Sequence, residues 1–180
     1  MPRNAVLLFL DETILRWFPP LRSTWAFRGE QAVVPITGRN AKRVLFGVLN
    51  PRTGHRLVFR RFRQRQEDCQ AFLRYLCQHY PGRPIWLLLD KAPGHDAGRS
   101  QALAARLGIV LVWLPKQCSE LNAMDHLWKE LKWLIAANRQ FRTIDDEAEH
   151  AERWFLGLMP REALRKAGVL SEHFWLKDFL

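Results

Sequence analysis

Three aspartates stand where side chains could bind metal ions for phosphoryl transfer. Asp11 ends the apolar run 5–10, Asp90 ends the apolar run 85–89, and Asp125 opens a helical pattern, with 34 residues between it and Asp90. Acids at the carboxyl ends of neighbouring strands lie close together, and clustered anions need a cation. Oxygen ligands select Mg²⁺, with Mn²⁺ as a substitute, and two such ions about 4 Å apart activate a nucleophile for in-line attack at phosphorus. We therefore predict that all three aspartates are catalytic and ligate two metal ions.

Each acid also has a structural interpretation. Asp11 suits a turn at a strand end, and the adjacent Glu12 leaves open which of the two acids faces a site. Asp90 suits the opening residue of the turn that follows it. Asp125 stands three residues after Asn122, so the two residues also fit a helix-capping pair worth about 1 kcal/mol. The catalytic interpretation depends on all three acids occurring together in this order on these elements.

Other side chains near the acids suggest supporting roles. His95, five residues after Asp90, is predicted to hold a metal-bound water or a phosphate, or to stabilise the turn, without ligating the metal itself. Lys91 is a candidate contact to a DNA phosphate. Trp25 and Arg28 occupy a long early loop and suit stacking on an unpaired base, although packing is the more usual role of a tryptophan. We expect His126 to face solvent. Trp128 and Trp133 are expected in the core.

The net charge of +10 is concentrated in the first third of the chain. Residues 1–66 carry 13 Arg or Lys and only 3 Asp or Glu, most densely at 56–65. Such a basic face is typical of a nucleic-acid-binding protein, although solubility or an acidic protein partner also explains it. We predict that Arg60, Arg61 and Arg63 follow DNA phosphates, together with Arg65.

The apolar periodicity predicts an α/β fold. Strands are expected at 5–10, 32–36, 43–49, 56–62, 85–89 and 109–114, with the gaps 38–40 and 50–54 separating the early ones. Helices are expected at 67–79, 99–107, 123–137 and 144–158, with shorter helical pieces at 161–167 and 172–179. Thr143 and Asp146 have the spacing of a helix N-cap. Early hairpin strands followed by alternating strands and helices predict a mixed sheet with helices on its faces.

Composition and length limit the class of protein. The 180 residues are 48% hydrophobic, which indicates one globular domain, and no apolar run reaches the roughly 20 residues of a membrane span. The three cysteines, Cys69, Cys77 and Cys118, have no zinc-site spacing, which fits packing roles in a reducing compartment. We therefore expect a cytosolic protein.

Several motifs together resemble the mariner superfamily of transposases, and most closely its bacterial insertion-sequence 630 group. The resemblance covers most of residues 5–135. The motifs are Leu10-Asp11-Glu12, Trp25-Ala-Phe-Arg-Gly29, Phe46-Gly-Val-Leu49, Asp90-x-Ala-x-x-His95 and Ser119-Glu-Leu-Asn-x-x-Asp-His-Leu-Trp128.

The resemblance implies a ribonuclease-H-like fold and a DDE or DDD metal triad, here Asp11, Asp90 and Asp125, with His95 matching the family's histidine. It implies Mg²⁺-dependent cleavage at transposon ends and strand transfer into target DNA, often at a TA dinucleotide. This chain departs from the family at three positions. It has Lys91 where the family usually has Asn, Ala123 where it usually has Pro, and Asp125 where it usually has Glu. Lys91 places a cation beside the predicted metal site, where it opposes metal binding.

The resemblance also sets expectations about organisation. We expect a single catalytic domain over 1–180, with a core over about 5–137, a helical tail over 143–180 and no N-terminal DNA-binding module. Expected partners are double-stranded DNA, a second copy of the chain and a separately encoded DNA-binding half, in a bacterial cytoplasm near the nucleoid. The alternatives are an inactive DNA-binding remnant and a ribonuclease-H-like nuclease without transposition.

Overall fold

The computed structural model describes residues 1–2, 4–37 and 40–180. In this part of the chain, five strands form one mixed sheet in the order β3-β2-β1-β4-β5. The strands are β1 (Val6–Arg16), β2 (Lys42–Leu49), β3 (Arg56–Arg61), β4 (Ile85–Leu89) and β5 (Ile109–Trp113). The helices are α1 (Gln66–His79), α2 (Pro93–Asp96), α3 (Gly98–Arg106), α4 (Ala123–Leu131), α5 (Ile144–Gly157) and α6 (Pro160–Lys166). The predicted mixed sheet with flanking helices is therefore confirmed.

The central strand β1 joins the two halves of the sheet. It pairs antiparallel with β2 from Phe9–Leu49 to Arg16–Lys42. It pairs parallel with β4 over a shorter stretch that ends at Phe9–Leu88. Strands β4 and β5 are also parallel. Two residues beyond the last parallel pair, Asp11 and Asp90 stand at the same level of the sheet.

Two apolar layers cover the two faces of the sheet. On one face, Leu7, Phe9 and Leu15 of β1 pack with α4, α5 and α6. On the other face, Leu8 and Leu10 pack with α1 and α3. Because successive side chains of a strand point to opposite faces, Asp11 follows the face of α4 and Glu12 follows the face of α1. The strand therefore sends its two adjacent acids in opposite directions.

Gly47 allows α4 to lie against the sheet. This residue stands opposite Asp11 in the β1–β2 register. A Cβ atom at this position would be 2.7 Å from Cη2 of Trp128 and 2.8 Å from Cε of Met124, closer than side-chain atoms approach. Only glycine fits here without displacing the helix, so a missing side chain on β2 sets the distance between the sheet and the helix that carries Asp125.

Two strand predictions were wrong. Asp11 does not end its strand, because β1 continues to Arg16 through its pairing with β2. Residues 32–36 form no strand, since they pair with no neighbour, and Val33 and Ile36 are exposed. The gap 38–40 falls partly on Gly38 and Arg39, which lie outside the described residues. The turn 50–54 does join β2 to β3, as predicted.

Two helix predictions also need correction. Helix α4 ends at Leu131 and is followed by a π-helical turn, Lys132–Ala136, instead of continuing as an α-helix to 137. In this wider turn Ile135 is buried and Leu134 is exposed, and Trp133 is 55% exposed although it was expected in the core. The piece predicted at 172–179 contains only the short 3₁₀ turn Lys177–Phe179.

The capping signal of α5 and two expectations about side-chain burial are confirmed. Thr143 and Asp146 form the predicted capping box of α5. His126 is exposed and Trp128 is buried, as expected. All three cysteines are free. Within the described ranges no helix is long and apolar enough to cross a membrane.

Candidate active site

The three aspartates come from three different elements and line one pocket. Asp11 lies within β1, Asp90 directly follows β4, and Asp125 lies in the first turn of α4. The pocket has a volume of about 340 Å³. Its remaining walls come from the loop that joins β5 to α4 and from the turn after Asp90. The lining residues beyond the three acids are Lys91, Ala92, Leu114, Pro115, Lys116, Gln117, Cys118, Ser119 and Asn122.

Asn122 ties the start of α4 to the central strand. Its side-chain oxygen accepts a hydrogen bond from the backbone N–H of Met124 at 3.1 Å, which caps the helix. Its side-chain Nδ2 donates to the backbone carbonyl of Leu10 at 2.8 Å, and the residue is buried. One amide therefore links the residue before Asp11 to the helix that carries Asp125. The capping role proposed for Asn122 is confirmed, and it coexists with a place for Asp125 in the pocket.

Mutual repulsion among the acids is visible at Asp11. Burial raises the pKa of Asp11 to about 7, and the charges of Glu12, Asp90 and Asp125 act in the same direction. A hydrogen bond to backbone at Glu12 opposes the rise only in part. Asp90 and Asp125 are thus close enough to Asp11 to affect its ionisation, and a cation between the carboxyl groups would relieve the repulsion.

The donor set of the pocket fits a hard divalent ion. Its three acids provide only oxygen ligands, which suits Mg²⁺ or Mn²⁺. The Oδ2 atom of Asp125 is buried, and the exposed ammonium group of Lys129 forms an ion pair with it at 2.7 Å. In the described part of the chain, however, no three His, Cys, Asp or Glu side chains are grouped tightly enough to hold an ion as they stand.

A buried pair that sequence reasoning missed supports Asp90. His95 Nε2 donates to Glu12 Oε1 at 2.5 Å, and His95 Nδ1 donates to Asp90 Oδ1 at 3.1 Å. Only 1% of the His95 side chain and 4% of the Glu12 side chain are exposed. The signal in the sequence was the adjacency of Glu12 to Asp11, because alternation along a strand sends the second acid to the opposite face, where it meets His95.

The electrostatics of this pair favour a charged imidazole. Burial alone lowers the pKa of His95, but its hydrogen bonds to Asp90 and Glu12 and their negative charges outweigh burial and raise the pKa to about 10. The same hydrogen bond from His95 lowers the pKa of Asp90. A doubly protonated ring donating to two carboxylates holds Asp90 ionised and fixes one of its oxygens.

The basic segment 56–65 is partly used within the fold. Arg56 is buried and donates to the backbone carbonyl of Phe155 at 2.9 Å. Arg60 pairs with Glu152 of α5 at 3.2 Å, and Arg61 pairs with Asp68 of α1 at 2.6 Å. These three arginines lie on β3, at the sheet edge away from the pocket. Their guanidinium groups are thus paired between β3 and its neighbouring helices, and contact of Arg60 and Arg61 with DNA stays a prediction.

The other predicted DNA contacts are accessible to a ligand. Arg63 and Arg65 are exposed just after β3. Trp25 is fully exposed, and Arg28 is exposed in the same loop. Lys91 lies at the pocket, with its Nζ atom 5.7 Å from the centre of the Trp113 ring. Lys91 is therefore the predicted DNA contact that the structure brings to the three acids.

Comparisons with known proteins agree with this architecture. The family model described as DDE superfamily endonuclease matches residues 6–146, which include all three acids. No protein with a curated description matches the sequence.

Solved structures share the fold at low sequence identity. The Mos1 mariner paired-end complex with Mn matches with a TM-score of 0.72 and 16% identity, over 95% of this chain and 54% of that one. The catalytic domain of Mos1 mariner transposase matches with a TM-score of 0.65 and 15% identity, over 96% and 80% of the two chains. A simian T-cell lymphotropic virus intasome chain matches with a TM-score of 0.57 and 13% identity, over 83% and 47%. The present chain thus spans about half the length of the Mos1 chain in that complex.

Proposed function

Because the chain belongs to the DDE superfamily of endonucleases, we propose that it is a DDD transposase catalytic domain. In this proposal it cuts DNA at transposon ends and joins the cut strand to target DNA. The observation that carries the proposal is that Asp11, Asp90 and Asp125 line one pocket, together with the raised pKa of Asp11. As a finer assignment, we propose that the chain belongs to the insertion-sequence 630 group, because its motifs resemble that group most closely.

We assign the binding of divalent metal to the three aspartates, with Asp90 held ionised by His95. Bound Mg²⁺ or Mn²⁺ supplies activation of the nucleophile and stabilisation of the leaving oxygen at phosphorus. Two ions are proposed, and binding them requires the carboxyl groups to converge within the pocket. Asp11 loses its proton on binding, because the ligand is the carboxylate. Metal affinity should consequently rise with pH toward 7.

We propose double-stranded DNA as the substrate. Related structures hold Mos1 transposase with a transposon end and a Mos1 strand transfer complex. In this chain the exposed cations Arg63, Arg65 and Arg28 provide charge for phosphates, Trp25 provides a stacking surface, and Lys91 lies at the pocket. A homodimer and a separately encoded DNA-binding half are proposed partners, in a bacterial cytoplasm.

The first experiment incubates the purified chain with supercoiled plasmid and Mn²⁺, beside the variants Asp11→Asn, Asp90→Asn and Asp125→Asn. The expected result is nicking by the wild type and none by the variants, with unchanged folding by circular dichroism. Nicking by a variant at the wild-type rate would refute the metal role of that acid. A folded wild type that binds DNA but does not nick it would favour the inactive remnant.

A second assay separates transposition chemistry from simple hydrolysis. Pre-cut DNA ends carrying a labelled 3′-hydroxyl are incubated with a target plasmid and Mn²⁺. Joined products are expected if the active site uses the 3′-hydroxyl as its nucleophile. Cut strands without joined products would favour a ribonuclease-H-like nuclease.

A further inference from the structure

The C-terminal tail, residues 171–180, is anchored to the elements that carry the acids. The ring of Phe174 lies 6.1 Å from the ring of Phe9 on β1, measured between centroids, and the ring of Trp175 lies 6.3 Å from it. Arg52 Nη2 donates to the backbone carbonyl of Phe179 at 2.8 Å. Although the tail has little regular structure, it is therefore held at both ends.

The contact nearest the pocket is a hydrogen bond from Trp175. The indole N–H donates to the backbone carbonyl of Leu121 at 2.9 Å. Leu121 ends the 3₁₀ turn Ser119–Leu121, directly before the cap residue of α4. A donor 54 residues away in sequence thus fixes the backbone at the entry to the helix that carries Asp125.

The same tail also packs beside the first acid. Phe9 stands two residues before Asp11 on β1, so both side chains point to the same face of the sheet. Asn122, next to Leu121, donates to the carbonyl of Leu10. A continuous path of contacts therefore runs from Trp175 through Leu121 and Asn122. It ends at the backbone that carries Asp11 and Asp125.

We propose that Trp175 is a positioning residue for the candidate active site. Its indole N–H sets the position of the Leu121–Asn122 backbone, which sets the spacing of Asp125 from Asp11 and hence the affinity for the divalent ion. The inference rests on the proposed metal-dependent function. Residues beyond the first ligands commonly change metal affinity by about 10–100-fold, and Trp175 acts through one further step. We expect an effect at the lower end of that range.

The test uses Trp175→Phe, which removes the N–H and keeps most of the ring. The matched control is Phe174→Leu, which weakens the packing on Phe9 and leaves the hydrogen bond to Leu121 in place. Binding of Mn²⁺ is measured directly by the electron paramagnetic resonance signal of the free ion. Hydrogen exchange of the amides in residues 121–125 is measured without metal, and the melting temperature of each variant is recorded.

Trp175→Phe is expected to weaken Mn²⁺ binding about tenfold and to speed exchange in residues 121–125 about fivefold to tenfold. Nicking should recover at high Mn²⁺, because the variant loses affinity and keeps its chemistry. Phe174→Leu should lower the melting temperature at least as much as Trp175→Phe does. It should change neither the Mn²⁺ affinity nor the exchange in residues 121–125. Equal metal affinity and exchange in Trp175→Phe and wild type, or the same changes in both variants, would overturn the inference.

The controls keep this inference separate from the proposed function. Failure of the wild type to bind Mn²⁺, or equal binding by Asp125→Asn, would refute the proposed metal site. The metal-free exchange comparison would then decide by itself whether Trp175 holds the loop. Normal metal-dependent nicking by the wild type with an unaffected Trp175→Phe variant would leave the proposed function intact and refute the inference alone.

Discussion

Gly47→Ala should damage both stability and activity, because the contact between β2 and α4 leaves no room for a methyl group. The new Cβ would lie 2.7 Å from Trp128 Cη2 and 2.8 Å from Met124 Cε, about 1 Å inside van der Waals contact. Both neighbours are essentially buried, so neither can swing into solvent. Inserting a methyl group into a packed core costs about 1–3 kcal/mol. The free energy of unfolding, measured in urea, should fall by that amount with an unchanged denaturant slope.

The activity should fall further than the stability alone explains. Relief of the clash moves α4 away from the sheet, and Asp125 lies on the same turns as Met124 and Trp128. A displacement of about 1 Å at a reacting group costs on the order of 100-fold in rate. Nicking at saturating Mn²⁺ and at a temperature where the variant is fully folded should therefore drop by about 10- to 100-fold.

A matched glycine and a double variant test this reasoning. Gly157→Ala at the end of α5 adds a methyl group with no heavy atom within 4 Å, so it should be neutral or slightly stabilising and leave nicking unchanged. Adding Trp128→Phe to Gly47→Ala should cost less than the sum of the two single changes, because it removes part of the ring that clashes. A Gly47→Ala variant as stable and as active as the wild type would refute the proposed packing constraint.

Three further predictions concern pH, positioning and DNA affinity. Burial raises the pKa of Glu147 to about 7 from 4.5, so its ionisation favours the unfolded state as pH rises from 4.5 to 7. Glu147→Gln should therefore add about 3 kcal/mol to the free energy of unfolding at pH 8 and nothing below pH 4, as urea titrations at both pH values would show. Glu12→Gln should weaken the hold of His95 on Asp90 and raise the Mn²⁺ concentration for half-maximal nicking about tenfold; an unchanged Mn²⁺ dependence would contradict the role of the buried pair. Replacing both Arg63 and Arg65 with Ala should reduce the slope of log affinity for DNA against log salt by about 2; a constant slope in filter binding would exclude them as phosphate contacts.

Much of the fold was readable from local patterns in the sequence. Continuous apolar runs identified β4 and β5, and helical spacing identified α1 and α5, because each of these patterns lies within a few neighbouring residues. Thr143 marked the start of α5 because capping is an interaction between residues three apart. The order and spacing of the three acids pointed to one pocket, and the structure places them there. Their catalytic role stays a prediction.

The missed strand has a physical cause. Residues 32–36 have the apolar character of a strand, but a strand needs a partner, and in the described part of the chain these residues pair with no other strand. The arginines of β3 show a related limit: Arg60 and Arg61 pair with acids that the packing of α5 and α1 brings close, and their contact with DNA stays a prediction. Composition records which charges a segment carries, whereas the fold decides which of them are already paired.

The sequence by itself therefore determined the elements, the polarity of their faces and the three acids, since each depends on residues a few positions apart. The tertiary structure alone decided how those acids are held. Glu12 reaches His95, 83 residues away, and Trp175 reaches Leu121 through contacts that no local pattern encodes. The absent side chain of Gly47 matters only because α4 lies against it. Such contacts depend on which elements become neighbours in the folded chain, and they set the geometry on which a metal site depends.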